Sequence, residues 1–150
     1  MKSCDQSTNR ALLLTPAGVA AIAVVRMVGP GVESFLDRHF SRKTTIGRPV
    51  HGEIGDGERV IDDPVVARLS ADRADVCLHG GTWVVHSFLE LARSAGFEVI
   101  ARPGLPLPES AVDGETEIDR EVAASLPMAR TELALRVLLA QPARHLHRLR

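Results

Sequence analysis

The stretch from Asp75 to Val99, DVCLHGGTWVVHSFLELARSAGFEV, decides how the rest of the chain is read. A short apolar run ends in His79-Gly80-Gly81. An amphipathic run follows, in which Val84, Phe88, Leu91, Ala92 and Ala95 fall on one stripe at helical spacing. Gly96 stands where a helix ends on a left-handed residue, and Phe97 to Ala101 is a second apolar run. The order is strand, glycine turn, helix, strand. The helix is expected over Trp83–Ala95, with Val76–Leu78 and Phe97–Ala101 as strands.

Working outward towards the N-terminus, Ala20 to Val28 is rich in small and β-branched residues and carries one charge, Arg26. It reads as a buried central strand. Ala11 to Leu14 is a short apolar run, and Thr15-Pro16-Ala17-Gly18 is a turn. Pro30 suits the first turn of a helix that runs to about Phe40, with Val32, Phe35, Leu36 and His39 on one face. Gly55-Asp56-Gly57 signals a hairpin. Val60-Ile61 and Val65–Leu69 are strand candidates, parted by Asp62-Asp63-Pro64. This pattern predicts an α+β fold, a mixed β-sheet packed with helices, followed by a C-terminal helical segment.

The expected organisation is a disordered N-terminus over residues 1–10, one domain over 11–104, a Pro- and Gly-rich loop over 105–117, helices over 118–141 and a basic tail over 142–150. The 150 residues, 45% hydrophobic and 25% charged, suit a soluble globular protein. A net charge of −1 gives no strongly basic surface, and only 3% of residues are aromatic, so direct nucleic-acid binding is not expected. Two cysteines, Cys4 and Cys77, are too few for a disulfide framework. With no charged-then-apolar leader and no run long enough to span a bilayer, a cytoplasmic protein is expected, with no membrane role.

Candidate chemistry gathers at three places. His79-Gly80-Gly81 lies where a strand hands over to a helix, so free N–H groups and close backbone approach suit a bound anion, but on these three residues alone a tight turn with a packed histidine is the stronger reading. Arg26 inside an apolar run needs a partner, for which Asp75 is the candidate. It either lines a pocket wall or ends its strand with its head in water. Cys77 and His79 share a strand face, as half a zinc site or as a core cysteine beside a histidine. No second ligand pair at metal spacing occurs, so no metal is expected. A nucleotide phosphate loop, G-x-x-x-x-G-K-[ST], is absent.

Several of these stretches together resemble the N-terminal domain of the tRNA-modification GTPase family MnmE, also called TrmE. ALLLTPAGVAAIAVVRMVGPG is similar to that family's opening strand, T-P-P-G-R-G turn and strand ending in R-[IL]-S-G. HGEIGDGERVIDDPVVARL is similar to its second hairpin. DVCLHGGTWVVHSFLELARSAGFEVIARPG is similar to its strand, H-G-G, helix, strand and A-R-P-G segment. The resemblance covers most of residues 8–104 and returns near 129–141.

The resemblance implies an α+β domain like the folate-binding part of aminomethyltransferases. Its implied cofactor is 5-formyltetrahydrofolate or another tetrahydrofolate derivative. Arg26 falls on a folate-contacting arginine, Asp75 on a pterin-contacting glutamate, and His79, Gly80 and Gly81 on the family's H-G-G. A homodimer is implied, as is partnership with a separate GTPase or an MnmG/GidA-like flavoprotein in wobble-uridine modification. The chain departs from the pattern at Val19, in the short LSADRA segment before Asp75, and after Gly104, where a folate-contacting lysine has no counterpart. Folate binding is therefore expected to be weak. Without a GTPase domain, the expectation is a stand-alone module that is not an enzyme on its own. The alternatives are a minimal folate-dependent one-carbon transferase and a purely structural dimerisation protein.

Overall fold

The computed structural model describes residues 8–15, 20–101, 116–126 and 129–141. Residues 1–7 of the expected disordered start, the Pro16–Gly18 turn, most of the Pro/Gly-rich loop and the basic tail lie outside the described residues, whereas Arg10, expected in that start, opens a strand of the sheet.

The chain forms two compact units, residues 1–101 and 102–150. In the first, β1 (Arg10–Leu13) and β2 (Ile22–Val28) precede α1 (Val32–His39). Short strands β3 (Val50–His51), β4 (Ile54–Gly55) and β5 (Val60–Asp62) follow. Then come β6 (Val65–Ser70), β7 (Arg73–His79), α2 (Thr82–Ser94) and β8 (Glu98–Ile100). Six strands make one sheet in the order β3-β6-β7-β2-β1-β8, and β4 with β5 makes a two-stranded one. All pairings in the large sheet are antiparallel except β1 with β8, so it is mixed and the fold is α+β, as its sequence pattern predicts.

The alternation of β2 and β7 divides the sheet into two faces. Ala23, Val25 and Met27 face one way with Ala74, Val76 and Leu78, and all six are buried. Both helices pack on this face. Phe35 and Leu36 of α1 and Phe88, Leu91 and Ala92 of α2 join Val25, Met27, Val66 and Val76 in one core cluster. Phe35 meets Phe88 and Phe97 edge-on at 6.0 and 5.4 Å between ring centroids, the arrangement that aromatic quadrupoles favour. The opposite face carries Ile22, Val24, Arg26 and Val28 beside Arg73, Asp75, Cys77 and His79.

Local chemistry sets the boundaries. Gly29 adopts φ 125°, and the N–H of Gly31 donates to the Asn9 side chain at 2.8 Å, which fastens the entry to α1. Gly96 takes φ 88° after α2, as its position in the sequence predicts. The turn after β4 is held by Asp56, whose Oδ1 accepts from the N–H groups of Glu58 and Arg59, both at 2.9 Å.

The second unit contains α3 (Glu117–Ser125) and α4 (Glu132–Leu139). Thr116 and Asp119 form a reciprocal capping box on α3, and Thr131 caps α4. On α4, Leu133, Val137 and Leu139 are exposed. No helix among the described residues is long and apolar enough to cross a membrane.

Two predictions follow from the packing. Phe88 is fully buried, so Phe88→Ala should lower the unfolding free energy in urea by about 3–5 kcal/mol; a loss below about 1 kcal/mol would place the ring outside the core. The two glycines of the turn should behave differently. A Cβ on Gly80 would stand 1.9 Å from the carbonyl oxygen of Ala20, whereas one on Gly81 meets nothing nearer than 3.8 Å. Gly80→Ala should therefore destabilise by about 1–3 kcal/mol or more, and Gly81→Ala by no more than about 1 kcal/mol. Equal costs in the same urea series would contradict this division.

Candidate functional site

Arg26 and Asp75 sit opposite each other in the β2–β7 ladder. The guanidinium donates twice to the carboxylate, Nε to Oδ1 at 2.8 Å and Nη2 to Oδ2 at 2.9 Å. Their side chains are only 10% and 18% exposed. Such a planar two-bond pair is the strong form of the Arg–carboxylate interaction, and it answers how an arginine tolerates the middle of an apolar strand. The partner suggested by the sequence is the one found. Arg26 is a mid-strand residue, and its guanidinium lies against the sheet rather than reaching into water.

Two residues along β7 from Asp75 comes Cys77, and two further His79. Cys77 is half-buried, and burial pushes its thiol pKa up, with the Asp75 charge adding to the effect. It is a poor thiolate and so a poor nucleophile or metal ligand at neutral pH.

His79 is organised by a residue that the sequence pattern does not single out. Val65 pairs with Cys77 at the start of β6, so at His79 the neighbouring strand has not yet begun. The Asp62 carboxylate takes its place: Oδ2 accepts from the His79 backbone N–H at 2.8 Å. Its other oxygen lies 2.7 Å from Nδ1 of the same residue. A carboxylate only accepts, so Nδ1 carries the hydrogen and Nε2 is the outward atom. Asp62 is buried, whereas the imidazole is 67% exposed. The hydrogen bond and charge of Asp62, reinforced by Asp63, raise the pKa of His79 above its ordinary value.

On the other side of the turn, Gly80 donates its N–H to the carbonyl of Ala21 at 3.0 Å. His79-Gly80-Gly81 is thereby fastened to β2 on one side and to Asp62 on the other. Gly81 then begins α2 with an extended backbone and no side-chain cap.

Asp63 approaches the same imidazole, its Oδ1 3.6 Å from Nδ1, and its other oxygen lies 3.4 Å from Nε2 of His51. Asp62, Asp63 and His79 have donor atoms near enough to one another to share a cation. The sequence showed Asp62-Asp63-Pro64 as a break between strands; its link to His79 depends on a contact across 17 residues.

The five candidate residues form a strip along β2, β7 and the turn. Two cavities among the described residues of the first unit lie elsewhere. One is lined by Arg38, Phe40, Glu53 and Val60 under the β4–β5 hairpin. The other, of about 420 Å³, lies between Arg59 and α2, where the Arg59 guanidinium sits 5.6 Å from the Trp83 ring centroid. Neither of these two includes Arg26, Asp75 or His79.

No family model matches the chain. Among curated proteins it is similar to the tRNA modification GTPase MnmE of several bacteria. Against that of Chlorobium luteolum it is 30% identical over 87% of this chain and 31% of the relative. Against that of Chlorobium phaeovibrioides it is 30% identical over 93% of this chain and 34% of the relative. The Aquifex aeolicus protein is 30% identical over 86% of this chain and 31% of its own length. The chain thus spans about a third of the length of the curated relatives it matches, and nearly all of it is similar to tRNA modification GTPases MnmE.

Proposed function

We propose that the chain is a tRNA-modification-related module that holds a tetrahydrofolate derivative on the strip formed by Arg26, Asp75 and the His79-Gly80-Gly81 turn. The observation that carries this reading is the Arg26–Asp75 pair, in the middle of a sheet face on which neither α1 nor α2 packs, in a chain similar to MnmE over nearly its full length. A carboxylate has about four lone-pair directions, and Arg26 takes two from Asp75. The rest are suited to the ring N–H and amino donors of a pterin. The guanidinium complements the carbonyl or glutamyl oxygens of the same ligand.

The pairing also limits affinity. Whatever binds Arg26 and Asp75 competes with the bond between them, and the departures from the family pattern remove further contacts. Micromolar affinity for 5-formyltetrahydrofolate is expected. The module acts in the cytoplasm as a homodimer, alongside a separate GTPase or an MnmG/GidA-like flavoprotein, and is not an enzyme on its own.

In calorimetric titration with 5-formyltetrahydrofolate, Arg26→Ala and Asp75→Ala should each weaken binding by one to two decades, the equivalent of about 1.5–3 kcal/mol for a lost charged hydrogen-bond partner. Circular dichroism checks that each variant is folded. Wild-type binding that neither change weakens would remove the ligand from this strip, and no wild-type binding at millimolar ligand would end the folate reading. Sedimentation at tens of micromolar should show a dimer; a monomer alone would refute the assembly.

A further inference from the structure

We propose that Asp62, Asp63 and His79 form a site for a divalent transition-metal ion such as Zn2+, with His51 bracing Asp63 from the far side. This goes beyond the folate reading, holds whether or not a folate binds, and departs from the expectation that no metal is present.

The first argument is geometric. Ions of this class hold nitrogen and oxygen ligands at about 2.0–2.2 Å, which puts neighbouring donor atoms roughly 3–3.5 Å apart. His79 Nδ1 lies 2.7 Å from Asp62 Oδ1 and 3.6 Å from Asp63 Oδ1, and the three donor atoms all lie within 4.8 Å of one another. Both of the His79 spacings lie close to that range. The donors come from the end of β5, the β5–β6 link and the end of β7, so no single flexible loop carries them.

The second argument is charge. Two consecutive carboxylates converge here, and the cationic groups paired with them are the imidazoles of His79 and His51. Two acidic side chains side by side with an imidazole are a donor set that a divalent cation neutralises. A metal ion replaces the proton between Nδ1 and Asp62. Imidazole with carboxylate, and no thiolate, is a donor set that suits Zn2+, Co2+, Mn2+ or Fe2+.

The third argument is support and access. Asp62 keeps its Oδ2 on the His79 backbone N–H whether or not Oδ1 ligates, so one carboxylate is positioned in advance. The outer sides of His79, Asp63 and His51 are exposed. That gives the ion a way in and leaves coordination positions for water or a ligand oxygen, next to the strip where the folate is proposed.

The full chain, stripped with a chelator and dialysed, is titrated with Zn2+ by calorimetry and with Co2+ by visible absorption at pH 7.5. One ion per chain with micromolar affinity is expected. His79→Ala and Asp63→Asn should each weaken binding at least about tenfold, with folding verified by circular dichroism. A variant carrying H145A and H147A should bind like wild type, as should H86A. Affinity should fall in acid, because protons compete with the ion for imidazole and carboxylate donors. The proposal is overturned if wild type takes up no stoichiometric ion, if neither His79→Ala nor Asp63→Asn weakens uptake, or if uptake is lost with His145 and His147 instead.

Discussion

The seven-residue pairing of β2 with β7 is the constraint on which the rest of the unit depends. From Ile22 opposite His79 to Val28 opposite Arg73, it fixes which side chains face the helices. Strands alternate with period two, so a slip of one residue would send Ala23, Val25 and Met27 to the wrong face and carry Arg26 into the apolar core. The Arg26–Asp75 pair opposes that slip directly. In register each charge finds its partner at hydrogen-bond distance; out of register, a nearly buried guanidinium would lose it. Cross-strand charge pairs contribute only about 0.2–1 kcal/mol when made, but an unpaired buried charge costs several times that. The pair specifies the sheet more than it stabilises it.

The same logic explains why His79-Gly80-Gly81 is a rigid feature. A strand that outruns its neighbour leaves a ladder N–H without a partner, and a buried unsatisfied N–H costs about 1–3 kcal/mol. Asp62 repairs this at the end of β7 with one oxygen and uses the other to orient the imidazole. Gly80 lets the chain pass close over Ala20. The outward Nε2 of His79 is thus a by-product of closing the sheet, and one carboxylate gives both the closure and the orientation.

Much of the fold was legible because it is written in local pattern. The stripe of α2, the left-handed Gly96, the hairpin signal at Gly55-Asp56-Gly57 and the apolar run of β2 each depend on a few neighbouring residues. Arg26 with Asp75 was legible for a different reason: a lone charge in an apolar strand demands an opposite charge, and few candidates existed. Asp62 and Asp63 were not legible as partners of His79. Asp-Asp-Pro is ordinary chain punctuation, and nothing in it says which strand end it will meet. That follows from the offset between β6 and β7, a tertiary quantity. The sheet order, with β8 added in parallel beside β1 at the edge, is non-local in the same way.

The arrangement separates two kinds of polar group on one strand. At Asp75 the charge is paired on the sheet and tied into register. At His79 the imidazole is anchored through Nδ1 but exposed, and it exchanges protons with solvent while the backbone stays fixed. Removing Asp75 therefore disturbs the sheet as well as any ligand. The exposed ring of His79 can be altered with little effect on the core, since its backbone N–H remains on Asp62. A ligand lying along β7 meets a fixed pair at one end and an adjustable group at the other. Shape and register belong to the first, and response to pH or to a cation belongs to the second.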